Sequence, residues 1–265
     1  PTALSIFSST YLKIKGLRFY GYNQIWDGTG VSRGVELNGC SNITIEQCEV
    51  FSFQGTGFFI SGGTNDVLYL NCDSHNNEDP FSDAISATSG SLVVGRVYKI
   101  TNYVAGDNFS NVATVISGTI NTTNCDFIAT GTTPTNWSNG SSIVYGGDAW
   151  DNADGFGITG SGNNANNITF QGCRAWLNCD DGWDNIFTNG VRTWLGCWGY
   201  SNGYYQRAGM ATPRPAGNGN AFKLGSTGVD ALNISTQRVL KNCLAFNNRA
   251  NGYDQNGTPT TGMTL

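Results

Sequence analysis

Apolar and polar positions alternate along this chain in short bursts, as in ITIEQ, LYLN, ITFQ, TWLG and VLKN. A period of two marks a half-buried strand, and helical periodicity is essentially absent. The bursts lead into one recurring phrase: ITIEQCEVFS at Cys48, LYLNCDSHNN at Cys72, ITFQGCRAWLN at Cys173, TWLGCWGYSN at Cys197 and VLKNCLAFNN at Cys243. Cys48 to Cys72 and Cys173 to Cys197 are both 24 residues apart, a period typical of solenoids. A second mark keeps the same register. Nine residues past Cys48, Cys173 and Cys243 stand Gly57, Gly182 and Gly252, each followed by an aromatic, Phe58, Trp183 or Tyr253.

Strands at this spacing, broken by Asn and Gly turns, predict coils that stack in parallel and bury their inward side chains on one another. The fold expected is all-β, a right-handed parallel β-helix with ladders of cysteine, aromatic and asparagine side chains. Two intervals break the period. After Cys72 the Gly-aromatic mark is delayed until NADGFG at 152–157, so residues 86–145 are expected to form a small inserted β module, with residues 1–85 and 146–265 making the β-helix. The phrases YVAGDNF and ATGTTPTNW in that module resemble short modules of phage-associated and other bacterial proteins. Between Cys197 and Cys243, removing a loop at 204–219 restores one ordinary coil and puts NAFKLG on the mark.

Composition adds constraints. Charged residues are 12% of the 265, about half the ~25% usual in soluble domains, and 36 glycines help fill the difference. A hydrophobic share of 39% still allows a continuous core. The net charge of −5, with fourteen scattered Lys and Arg, argues against nucleic acid as a partner. No apolar run reaches the length of about 18 residues that a spanning helix needs, and no signal-peptide pattern is present. The chain opens on PTALSIF and stops on GMTL, as if mid-strand, which points to a fragment or processed form.

Against that sparing use of charge, CDDGWDN at 179–185 crowds Asp180, Asp181 and Asp184 together. Aligning the coils makes Phe156, Trp183, Phe222 and Tyr253 equivalent, so Asp154 stacks on Asp181. Gly157, Asp184, Lys223 and Asp254 then form a column with a rung spacing of about 4.8 Å. Two carboxylates about 5 Å apart repel by roughly 3 kcal/mol at an effective dielectric of 20. The four aspartates must therefore take up protons or bind a cation, and an all-oxygen set suits Ca²⁺. Asp beside Gly also caps turns, and that reading stays open. Lys223, one of five lysines, becomes a base if the cation occupies the aspartates, or stays a charged partner of Asp184 or Asp254.

The ordered series NCDSHNNED, DNADGFG, CRAWLNCDDGWD, CWGYSNGY, GNAFKLG, NCLAFNN and NGYDQN resembles the family 9 polysaccharide lyases, parallel β-helix pectate lyases. The resemblance covers most of the chain outside the insertion. It implies calcium held by Asp154, Asp180, Asp181 and Asp184, and Lys223 as the catalytic base. The implied substrate is an acidic polysaccharide, polygalacturonate or pectin, cleaved by β-elimination, which in turn implies a secreted protein acting outside the cell. The long module at 86–145 departs from the simpler family pattern.

Other residues are less decisive. Arg207 and Arg214 match sugar carboxylates by their planar fork, or are solvated loop charges. Tyr204 and Tyr205 offer a sugar platform, whereas Trp176 and Phe246 are read as ladder packing. His75, the single histidine, is expected to make structural hydrogen bonds. The ladder cysteines are expected to pack as small hydrophobes, with disulfide pairing left open. Asn42 and Asn167 read as turn asparagines. Two rival functions remain at this stage: a polygalacturonase-type hydrolase with paired aspartates, and a noncatalytic β-helix fibre or adhesin.

Overall fold

The computed structural model describes residues 2–21, 32–79, 85–146, 153–158, 165–185, 188, 190–206, 212–225, 237–256 and 263–264. Each coil contributes one strand in turn to three parallel sheets. The first sheet stacks Thr2–Phe7, Arg33–Asn38, Phe58–Ser61, Phe156–Gly157, Trp183–Asp184, Phe222–Lys223 and Tyr253–Asp254. The second carries the cysteine-preceding strands, from Thr10–Lys15 to Met263–Thr264, and the third runs from Arg18–Tyr20 to Leu244–Phe246. The expected parallel solenoid is therefore what the chain forms.

The recurring phrase has a backbone cause. The residue before each ladder cysteine, Gln47, Asn71, Gly172, Gly196 or Asn242, has φ between 52° and 62°. Gly and Asn reach this left-handed region most readily, and it bends the chain from the second sheet into the third. The Gly-aromatic mark has a packing cause. A Cβ on Gly57 would lie 2.1 Å from Ser74 Oγ, and one on Gly182 2.5 Å from the Ala221 carbonyl. At these corners the coils approach too closely for any side chain.

Between the sheets the core is a set of ladders. Phe58, Phe156, Trp183, Phe222 and Tyr253 stack with centroids 4.6–5.3 Å apart. Asn77, Asn178, Asn202 and Asn248 pass side-chain amide hydrogen bonds along the axis at 2.8–3.1 Å. These amides also bind turn carbonyls, which a buried turn would otherwise leave unsatisfied. All eight cysteines are free thiols. His75 sits between Phe51 and Trp176, and its ring nitrogens meet Glu49 Oε1 at 3.0 Å and Asn76 Oδ1 at 2.7 Å. Trp176 continues this ladder to Tyr200 and Phe246.

Residues 85–145 hold a five-stranded antiparallel sheet with its own core around Tyr98, Ile100, Phe109, Phe127 and Ile143. In the YVAGDNF phrase, Asp107 accepts backbone N–H groups from Ser138, Asn139 and Ser141. Burial raises its pKa, but these donors outweigh it and bring the carboxyl to about 2. On the helix, Phe58 pairs directly with Phe156, so the solenoid core is continuous across the excursion.

Candidate metal and active site

The site stands on the outer face of the first sheet. Pairing of Phe156 with Trp183, Trp183 with Phe222 and Phe222 with Tyr253 sets the register. Gly157, Asp184, Lys223 and Asp254 consequently form one column, and Asp154 and Asp181 share the position two residues before the aromatic. Carboxylate oxygens of Asp154, Asp180 and Asp181 lie within 4.8 Å of one another. All three side chains are buried, as are Asp184 and Lys223.

Each carboxylate is oriented. Thr56 Oγ1 donates to Asp154 Oδ2 at 3.3 Å, and the Asp181 N–H donates to Asp154 Oδ1 at 3.2 Å. The Asn218 N–H donates to Asp180 Oδ1 at 3.2 Å. Asn220 donates twice to Asp181 Oδ1, from its backbone N at 2.7 Å and its Nδ2 at 2.9 Å. Asp181 Oδ2 has no hydrogen bond, though Lys223 Nζ stands 3.0 Å away. Asp184 stands beside the trio, its Oδ2 facing Lys223 Nζ at 3.5 Å. Of the two partners foreseen for the lysine, Asp184 is realised and Asp181 takes the place of Asp254.

Burial, reinforced by Asp184, Asp180 and Asp181, pushes the Asp154 pKa well above the carboxylate range. Asp181 is also raised by burial, against the opposing pull of Lys223 and Asn220. Burial works against the Lys223 ammonium, but Asp184, Asp181, Asp180 and Asp154 outweigh it and hold its pKa above the ordinary lysine value. One ammonium cannot neutralise four carboxylates. A buried all-oxygen trio whose charge one ammonium leaves unbalanced thus fits a hard divalent cation such as Ca²⁺.

The loop expected at 204–219 returns to the site. Its strands Tyr204–Tyr205 and Arg214–Pro215 pair antiparallel, and Tyr205 packs on Ala153, Cys179 and Ala216. Gly203 N–H donates to the carbonyls of Asn178 and Asp180, and Gly217 N–H to that of Cys179. Tyr204 and Arg214 therefore sit on a hairpin tied to the turn of Asn178, Cys179 and Asp180, but neither bonds to the four aspartates among the described residues. Tyr205 is buried in packing and offers no sugar platform. Arg207 lies outside the described residues. Sequence reasoning missed Thr56 and Asn220. Both occupy the position two before the ladder aromatic, so the register that found Asp154 already contained them.

A sequence model described as the Pel9A-like, right handed beta helix region matches residues 96–265, more than half of the chain. The match includes most of the antiparallel excursion. Pectate lyase L of Dickeya chrysanthemi is 37% identical over 109 residues, covering 39% of this chain and 22% of that protein. Pectate lyase L of Paenibacillus polymyxa is 32% identical over 120 residues, covering 43% of this chain and 24% of its own. The aligned segment thus spans about a quarter or less of each of these relatives. Among solved structures, pectate lyase Pel9A superposes on 97% of this chain and 43% of its own, with a TM-score of 0.55 and 21% identity. A rhamnogalacturonan lyase covers 94% of this chain and 45% of its own, with a TM-score of 0.56 and 24% identity. At these identities the superpositions establish the fold. Sequence phrases, stacked coils and family match converge: the chain belongs to the Pel9A-like right-handed β-helix family.

Proposed function

We propose that this chain carries the active centre of a calcium-dependent polysaccharide lyase that cleaves polygalacturonate or pectin by β-elimination. The single observation that carries the reading is the lysine amine, Lys223 Nζ, 3.0 Å from one member of a buried aspartate trio. Asp154, Asp180 and Asp181 would hold the cation, with Asp184 at the edge facing Lys223. When bound, Ca²⁺ would offset the aspartates' charge and draw electron density from the sugar carboxylate, making the neighbouring C5 proton more acidic. Thr56, Asn218 and Asn220 fix the carboxylates so that no rearrangement is needed when substrate arrives.

Lys223, relieved of its ion pairs, takes the C5 proton. The C5–H electron pair becomes the C4=C5 double bond as the C4–O bond breaks, and the departing oxygen gains a proton. No water is consumed. Because the base must be neutral, activity rises toward alkaline pH. An inverting hydrolase, with paired aspartates as acid and base, needs carboxyls about 6.5–9.5 Å apart to admit a water, wider than the 4.8 Å that spans the oxygens of Asp154, Asp180 and Asp181. Residues 86–145 are proposed as a separate module beside the groove, and action on a cell-wall polymer implies a secreted protein.

The test is incubation with polygalacturonate, with and without chelator, following the ultraviolet absorbance of the unsaturated product. Calcium-dependent absorbance is the expected result. Reducing ends without absorbance would mean hydrolysis, and polymer binding with neither signal would mean a noncatalytic fibre.

A further inference from the structure

The outer face of the first sheet continues beyond the site toward the N-terminus. Glu36 pairs in register with Phe59, and Phe59 with Gly157, so Glu36, Phe59, Gly157, Asp184 and Lys223 are five successive rungs of one column. Two positions before the ladder aromatic, the same rungs carry Arg33, Thr56, Asp154, Asp181 and Asn220. Arg33 therefore lies on the face of the acidic cluster, two rungs or about 10 Å from Asp154.

Arg33 is held in a defined pose. Its guanidinium carbon lies 3.5 Å from the centroid of the Phe59 ring, and Nη1 donates to Glu36 Oε1 at 2.5 Å. The side chain keeps 26% of its surface exposed while Nη1 is anchored on Glu36. Between it and the cluster stands the rung of Thr56 and Phe59, and those two side chains lean over the backbone of Gly157 on the next rung. Gly157 lacks a side chain, and a Cβ there would already lie 2.9 Å from Thr56 Cγ2 and 3.3 Å from the Phe59 ring.

The other described arginines are placed differently. Arg192 and Arg238 are buried, and Arg18 and Arg174 belong to the third sheet, paired with Glu49 and Asp73. Arg96 stacks on Tyr145 of the antiparallel sheet, Arg214 is on the hairpin, and Arg249 donates to the hairpin carbonyls of Ala216 and Gly217. Among the described residues, Arg33 is the arginine on the outer face of the first sheet.

We infer that Arg33 is a distal subsite for a uronate carboxylate, oriented by Phe59 and Glu36, and that it makes the site prefer polymers over short oligomers. The inference rests on the polyuronate reading. A chain lying along the column from Lys223 crosses the aspartate cluster, passes Gly157 and the Phe59 ring, and presents a carboxylate to Arg33. A planar fork stacked on a ring is preorganised for that group, and Lys would not replace it.

The test uses titration calorimetry of hexagalacturonate and digalacturonate, with calcium, on Lys223→Ala protein, which leaves the ligand uncleaved. Adding Arg33→Ala is expected to weaken hexagalacturonate about tenfold, the loss of one charge-assisted contact, while digalacturonate affinity stays constant. Adding Glu36→Gln instead is expected to tighten hexagalacturonate, because it releases the guanidinium and removes a like charge from the path. A purely structural Arg33 would give unchanged hexagalacturonate affinity in both folded variants, and that result overturns the inference while leaving the lyase reading intact. Absence of hexagalacturonate binding to the Lys223→Ala protein would overturn both. Arg33-dependent binding in a wild-type protein that forms no unsaturated product would support the subsite and sink the elimination.

Discussion

Lys223 Nζ stands 3.0 Å from Asp181 Oδ2 and 3.5 Å from Asp184 Oδ2, reaching both across one rung of the first sheet. The amine is thus a neighbour of the acidic cluster without being one of its oxygen donors. Lys223→Ala is expected to abolish formation of unsaturated product. It also deletes a positive charge beside the carboxylates, so calcium should bind the variant as tightly as the parent or more so. Measuring calcium affinity alongside turnover checks both halves, and weaker calcium binding would show that the lysine supports the site in another way.

Calcium itself should raise stability, because a ligand that binds only the folded state stabilises it by mass action. At a free concentration one hundred times the dissociation constant the gain is about 2.7 kcal/mol. Thermal unfolding with calcium against chelator reads this directly. Asp154→Asn should reduce the difference, since it removes one charged donor from the trio; an undiminished shift would place the ion elsewhere.

Asn220→Ala takes away the Nδ2 donor to Asp181 Oδ1 while leaving the backbone N–H in place. Groups that orient metal ligands typically matter by about 10–100-fold in affinity. The expected result is calcium binding weaker by about tenfold, with turnover recovered at saturating calcium. Loss of turnover that calcium cannot restore would give Asn220 a different role.

A pH effect is expected in the antiparallel sheet. Asp126 is buried, its Oδ1 lacks a hydrogen bond, and Lys99 Nζ is 3.8 Å away. Burial raises its pKa to about 6, against the weaker opposing pull of Lys99. The folded state holds this proton more tightly than the unfolded state, so stability is lost as pH rises from about 4 through 6. Asp126→Asn is neutral throughout and should gain about 1–3 kcal/mol at pH 7 but little at pH 4. Equal effects in denaturant unfolding at the two pH values would refute this.

Much of the fold was readable because a solenoid is nearly one-dimensional. Phe156, Trp183, Phe222 and Tyr253 were aligned by counting from cysteines and glycines, and the strand pairings follow that count. Sequence distance maps onto the axis whenever coils have equal length, and Phe58 still meets Phe156 across an excursion that begins and ends at one point. Thr56 and Asn220 lay on the same count and were passed over because a hydroxyl and an amide lack the charge that drew attention to the aspartates.

The sequence by itself determined the strand period, the glycine corners and the column on which Asp184 and Lys223 stand, since alternation and close packing between coils leave little choice. The tertiary structure decided where side chains turn once on that column. Asp184 points to Lys223; Asn218 and Asn220, following the strand Arg214–Pro215, clasp Asp180 and Asp181; and Arg33 lies on the ring of Phe59. Those directions depend on hydrogen-bond partners and ring faces supplied by neighbouring rungs, and no local stretch of chain contains them.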